Sequence, residues 1–89
     1  MTNQDKEEGR LVLEYPCPWT YKVIGADGEA LRAAIAGVME AREHLVTPSR
    51  TSRGGKYQSL DIEVVVQDEA ERNALYAALK AHQAVVMVL

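Results

Sequence analysis

The chain has 89 residues, a net charge of −3 and one cysteine, and a domain of that length buries only roughly 60–65% of the surface its unfolded chain would expose. The acidic balance disfavours a general nucleic-acid binder, which needs a basic surplus against phosphate, and one cysteine cannot close an internal disulfide. No apolar run approaches the ~20 residues that cross a bilayer, and the opening "MTNQDKEEGR" is polar where a signal peptide would be apolar, so a cytoplasmic protein with no membrane partner is expected.

Residues Met1 to Arg10 are charged and polar without periodicity, too poor in apolar area to offset the entropy of ordering. They read as a flexible tail, and residues 11–89 as a single domain. In "YPCPWTYKVIG", Tyr15 to Gly25, each proline lacks an N–H and steers the residue before it toward extended geometry, so Tyr15 and Cys17 are expected in a straight approach that does not pair regularly. From Trp19 to Gly25 the alternation predicts a first strand with Trp19, Tyr21 and Val23 on one face and Thr20, Lys22 and Ile24 on the other. Gly25 ends it. Asp27 is placed to cap a helix whose inward stripe is Leu31, Ala34, Ile35, Val38 and Met39, at i, i+3, i+4 spacing. Arg42 continues that stripe into the expected last turn, its stem on apolar surface and its charge at the negative end of the helix dipole. Gly37 is either a point of close packing or a tolerated cost of about 1 kcal/mol.

Next, "VTPSRTS" and "YQSLDIEVVVQ" flank "RGGK", whose glycines supply the positive φ angles of a hairpin turn. Pro48 marks the first run as an edge strand. In the second, Leu60, Ile62, Val64 and Val66 form a dry face and Tyr57, Ser59, Asp61 and Glu63 a wet one. A second helix opens at Asp68 with Glu71 as a capping-box variant and buries Leu75, Ala78 and Leu79. The closing "AVVMVL" is a last strand, with Val85, Met87 and Leu89 toward the helices and Val86 and Val88 outward. The order β-α-β-β-α-β with right-handed crossovers predicts an α+β, ferredoxin-like sandwich. Its four-stranded antiparallel sheet has the first and third strands in the middle and both helices on one face. The apolar last strand then lies at an unprotected edge that either "LVLEY" of the same chain or a second protomer must cover. Cover from within the chain, and so a monomer over a homodimer, is favoured because Leu11, Val12 and Leu13 otherwise have no role.

Together "YPCPWTYKVIG", "GKYQSLDI" and "VVMVL" resemble the YbeD-like family of small bacterial proteins of unknown function, over nearly the whole chain after the tail. The family pattern maps onto Pro16, Pro18, Tyr21, Lys22 and Gly25 in the first block and Gly55, Tyr57 and Ser59 in the second. The resemblance implies a ferredoxin-like fold similar to the ACT regulatory domains of amino-acid metabolism. It implies no reaction.

The residues themselves offer little chemistry. A nucleophilic thiolate needs a lowered pKa, and Cys17 has neither a C-x-x-C partner nor a histidine spaced for a metal set, so it reads as structural. His44 and His82 read as helix-end residues beside the last carbonyls. Asp61 and Glu63 share the wet face, and a cross-strand ion pair with Lys22 on the adjacent strand, worth ~0.2–1 kcal/mol, accounts for them more simply than a catalytic carboxylate pair. In "SRTSRGGKY", Arg50, Arg53 and Lys56 surround a glycine turn whose N–H groups can form an anion-binding nest, although basic hairpin tips also serve edge protection and the run lacks the G-x-x-x-x-G-K-[ST] pattern. A sheet-face RNA reader lacks its aromatics, and "GADGEA" lacks the cysteines of a metal carrier, so no cofactor is expected. The expectation is a non-catalytic regulatory or adaptor module binding a small ligand or a protein partner. The resemblance to ACT domains places ligand contacts at Gly25, Ala26 and Asp27. The alternative is a small enzyme or anion-binding protein using Arg50, Arg53 and Lys56.

Overall fold

The alternating and helical periods become, in chain order, β1 (Cys17–Gly25), α1 (Gly28–Met39), β2 (His44–Thr51), β3 (Gln58–Val66), α2 (Glu69–Ala81) and β4 (Met87–Val88). The computed structural model describes residues 13–51 and 55–89, the side chains of 50 and 51 excepted. The expected tail, and Leu11 and Val12 of "LVLEY", lie outside the described residues. The strands pair antiparallel in the order β2-β3-β1-β4, as right-handed crossovers require. This is the expected ferredoxin-like α+β sandwich.

The core forms where the strand and helix periods meet. Tyr21 and Val23 of β1 and Leu60, Ile62, Val64 and Val66 of β3 face Leu31, Ile35 and Met39 of α1, Leu75 and Leu79 of α2, and Val85 and Val88. Both helices open as the sequence predicts. Asp27 Oδ1 accepts from the Glu29 and Ala30 N–H groups, and Asp68 Oδ1 accepts from the Glu71 N–H at 2.7 Å. A polar lock joins β1 to α2: the Tyr21 hydroxyl donates to the Arg72 carbonyl at 2.6 Å, and the Arg72 guanidinium lies 4.8 Å from the Trp19 ring centre. Burial pushes the Tyr21 phenol up to about 12, which keeps it protonated and able to donate.

Several expectations are corrected. β1 begins at Cys17, and Pro18 pairs with Val65 of β3. Lys22 exchanges both main-chain bonds with Leu89 on the β4 side, so by alternation the missing N–H of Pro18 lies on that side too and costs the β1–β3 ladder nothing. Helix α1 stops at Met39 because Glu40 takes φ 56, a left-handed value that a helix cannot continue through. Arg42 is therefore beyond the helix, and His44 opens β2, its Nδ1 2.8 Å from the Arg42 carbonyl oxygen. His82 does cap α2, its N–H donating to the Leu79 carbonyl. On α2 the inward row is the i, i+4 line through Glu71, Leu75 and Leu79, and Ala78 is exposed beside it. The last strand is two residues long; Val85 is buried and Val86 exposed as expected, and the phase then reverses at Met87, Val88 and Leu89. Val88 pairs with Val23 and is buried, whereas Met87 pairs with Ile24 on the other face and Leu89 is exposed with it.

A Cβ at Gly37 meets nothing within 4 Å, so the close-packing alternative falls and the helix simply carries the cost of glycine. Gly37→Ala should raise stability by about 0.5–1 kcal/mol, read as a higher urea midpoint with an unchanged slope.

Candidate functional site

The turn between β1 and α1 carries the three expected ligand contacts. Gly25 is buried, while Ala26 and Asp27 are exposed. A Cβ on Gly25 would sit 2.5 Å from the Ala84 carbonyl oxygen and 2.9 Å from Leu31 Cδ1, so the glycine permits the chain after α2 to cross against β1. The Asp27 carboxylate is engaged by two helix N–H groups. In the hairpin, Arg53 and the side chain of Arg50 lie outside the described residues. Gly55 takes φ +70, as a turn glycine does, and the Lys56 ammonium lies 5.8 Å from the Tyr57 ring centre. Cys17 is free, half-buried and packed against the core. Among the described residues no group of three His, Cys, Asp or Glu side chains could hold a metal ion, and no helix is long and apolar enough to cross a membrane.

The strand register builds a surface that residue spacing alone did not single out. Paired residues project to the same side of a sheet. The face away from the helices is therefore ruled in rows: Pro18 beside Val65, then Thr20, Glu63 and Leu45, then Lys22, Asp61 and Thr47, then Ile24 between Ser59 and Met87. Its centre is the expected ion pair, with Lys22 Nζ 3.0 Å from Asp61 Oδ1. A bulge between Pro48 and Arg50 re-aims Ser49, whose hydroxyl oxygen accepts a further bond from Lys22 at 2.5 Å. At the end of the sheet where β2 begins and β3 ends, an open groove of about 670 Å³ is lined by Pro18, Leu45, Glu63 and Val65 of this face and wraps round the strand ends past Glu43, His44 and Val64 to Arg42, Gln67 and Glu71. Leu45 and Val65 are 54% and 51% exposed there, too open for core residues.

The α2 side of the groove is held by Glu71. Its Oε2 accepts from Arg42 Nε at 2.8 Å, and its Oε1 from the Gln67 N–H at 2.7 Å. The Arg42 hydrogen bond first, then that from Gln67, hold the Glu71 carboxyl below the usual carboxylate range. Arg42 also donates from Nη1 to the Met39 carbonyl at 3.2 Å, satisfying the end of α1. The sequence signal for the groove was the run "VVV" at Val64 to Val66, apolar at a position where the alternation asks for a polar residue.

A family model described as "Protein of unknown function (DUF493)" matches residues 11–89. The chain belongs to this DUF493 family. A UPF0250 protein of Hahella chejuensis is 37% identical over the whole of both chains, and one of Shewanella woodyi is 34% identical over 88% of this chain and 91% of its own. Among solved structures, HP0495 of Helicobacter pylori has a TM-score of 0.79 at 23% identity, covering 100% of this chain and 98% of that one. The ACT domain of the GTP pyrophosphokinase of Chlorobium tepidum has a TM-score of 0.60 at 18% identity, covering 82% of this chain and 95% of that one. At such identities the likeness carries the fold, which is the ACT-like, ferredoxin-like one the sequence resemblance implies. In this DUF493 chain several of the motif residues serve structure: Tyr21 locks α2, Lys22 joins three strands, Gly25 admits the Ala84 carbonyl, and Ser59 is buried at 9% exposure opposite Ile24.

Proposed function

We propose that the protein is a non-catalytic regulatory or adaptor module that binds a small ligand or a protein partner on the uncovered face of its sheet. The observation that carries this reading is that face itself: the helices cover one side only, and the other holds the groove with Leu45 and Val65 open to solvent at one end and Met87 at the other. Apolar groups gathered on a surface rimmed by charges are a common mark of binding sites. The ACT-like fold agrees with a regulatory role by analogy. The same analogy puts ligand contacts at Gly25, Ala26 and Asp27, a second candidate place on the chain. The basic hairpin Arg50, Arg53 and Lys56 is the alternative, anion-binding surface, supported by the positive φ of Gly55 beside Lys56.

The test is a thermal-shift screen of amino acids, nucleotides and acyl cofactors on the full chain, followed by amide resonance mapping of any hit. At ten times its dissociation constant a ligand adds about 1.4 kcal/mol, or roughly 6–11 °C for a domain of this size. Shifts clustered on β2 and β3 near Leu45 and Val65 support the sheet face. Shifts confined to residues 50–56 with an anionic hit move the site to the hairpin. Turnover of any screened compound overturns the non-catalytic reading.

A further inference from the structure

We infer that the groove at the β2–β3 end of the open face docks a protein segment that presents basic and apolar side chains together on one face. This deepens the preceding reading and rests on it. Register sets Leu45 beside Glu63, and Val65 two residues along β3 from Glu63, with Glu43 at the foot of β2 lining the same groove. Apolar and acidic groups thus alternate across the surface.

Charge decides the occupant. Among the described residues the Lys and Arg side chains at this end are already engaged: Arg42 by Glu71 and the Met39 carbonyl, and Lys22 by Asp61 and Ser49. Glu43 and Glu63 are exposed and have no hydrogen bond or ion pair among the described residues. The uncompensated charge of the groove is therefore negative, and its complement is basic. A second copy seated symmetrically on this face would set the same acids against each other, because a two-fold contact uses the same patch on both partners. An extended segment matches the spacing, since its side chains at i and i+2 lie about 6.6–6.8 Å apart on one face, the same repeat that separates Glu63 from Val65 on β3. Among the described residues β2 is also a sheet edge, so a segment crossing the groove can continue along the outer main chain of β2.

The experiment uses the full chain and the capped heptapeptide Lys-Ser-Val-Ser-Lys-Ser-Val, with Glu-Ser-Val-Ser-Glu-Ser-Val as its charge-reversed control. Amide and methyl resonances are followed by titration at 50 and 200 mM salt. The lysine peptide should bind saturably, shift Leu45 and Val65, and weaken at the higher salt as screening shortens the reach of the charges. The glutamate peptide should bind at least tenfold more weakly. The doubly reversed variant Glu43→Lys, Glu63→Lys should exchange the preference, and Leu45→Ser should weaken the lysine peptide severalfold at either salt; both changes are at exposed positions, and an unchanged unfolding midpoint checks the fold. No binding of the lysine peptide, equal binding of the two peptides, or shifts elsewhere would overturn the proposal. So would a full-chain dimer dissociated by Leu45→Ser. A small-molecule hit in the thermal-shift screen, with the peptide inert, overturns this proposal and leaves the regulatory reading standing.

Discussion

Replacing Gly25 by alanine should destabilise the domain by about 2–4 kcal/mol, the largest loss expected from a single methyl group anywhere in the described chain. The added Cβ lands 2.5 Å from the Ala84 carbonyl oxygen and 2.9 Å from Leu31 Cδ1. Leu31 is itself fully buried in α1, and the carbonyl belongs to the backbone between α2 and β4. Neither yields cheaply, so the backbone after α2 and Leu31 of α1 must shift away from β1, and overpacking of this kind typically costs about 1–3 kcal/mol before any ladder bond is lost. The ladder is at stake here, because the Val86 N–H donates to the Ile24 carbonyl one residue before Gly25. Gly28→Ala is the control: its Cβ would meet only the end of the Gln58 side chain, which can swing aside, and the change should cost well under 1 kcal/mol. Urea unfolding of the two variants measures both. Equal, small losses would show that the turn has slack, and the close approach would then not account for the glycine. If Gly25→Ala instead kept full stability yet abolished a ligand's thermal shift, the turn would be a binding element.

How legible this was in the sequence depended on whether neighbours along the chain or across the fold decide each residue's place. Strand β3 and the caps at Asp27 and Asp68 are local: alternation and an acid before an apolar helix repeat determine them, and the structure agrees. An ion pair from Lys22 to the acids of β3 needed topology as well, and the right-handed crossover rule supplied it; the register then selects Asp61 over Glu63. The misreadings share another cause. Periodicity cannot show that a non-glycine residue will turn left-handed, so the helix read through Glu40 to Arg42. It also cannot fix the phase of a strand apolar on both faces, so Met87 and Val88 were exchanged. The groove was invisible for the same reason. Leu45 becomes a neighbour of Glu63 and Val65 only once the β2–β3 register is known, and only a valine at an expected polar position hinted that the far face was not simply solvated.

Glu71→Ala should cost about 2 kcal/mol at neutral pH, an effect that neither a helix cap nor a surface ion pair alone would produce. The side chain does two jobs at once. Its Oε1 accepts the Gln67 N–H just before α2, and its Oε2 holds Arg42, which in turn donates to the Met39 carbonyl past the end of α1. One carboxylate therefore ties the start of one helix to the end of the other. Loss of a cap is worth about 1 kcal/mol, and a hydrogen bond to a charged group 1.5–3 kcal/mol when buried. Arg42 is 36% exposed along its side chain and Glu71 20%, so solvent screening discounts the ionic part toward the value of a partly exposed pair. Glu71→Gln keeps an acceptor for Gln67 and should lose about half as much. The pH dependence separates charge from shape. The carboxyl is held below its ordinary value of 4.5 by Arg42 first and Gln67 second, so its contribution is fully present above that value and is lost as pH falls through the lower, folded one. The gap in urea midpoint between the native chain and Glu71→Gln should accordingly narrow as pH falls below 4.5, while the gap between Glu71→Gln and Glu71→Ala stays open. A gap between native and Glu71→Gln that persisted undiminished in acid would mean that the side chain acts by packing, and that the carboxylate does not carry the tie between the two helices.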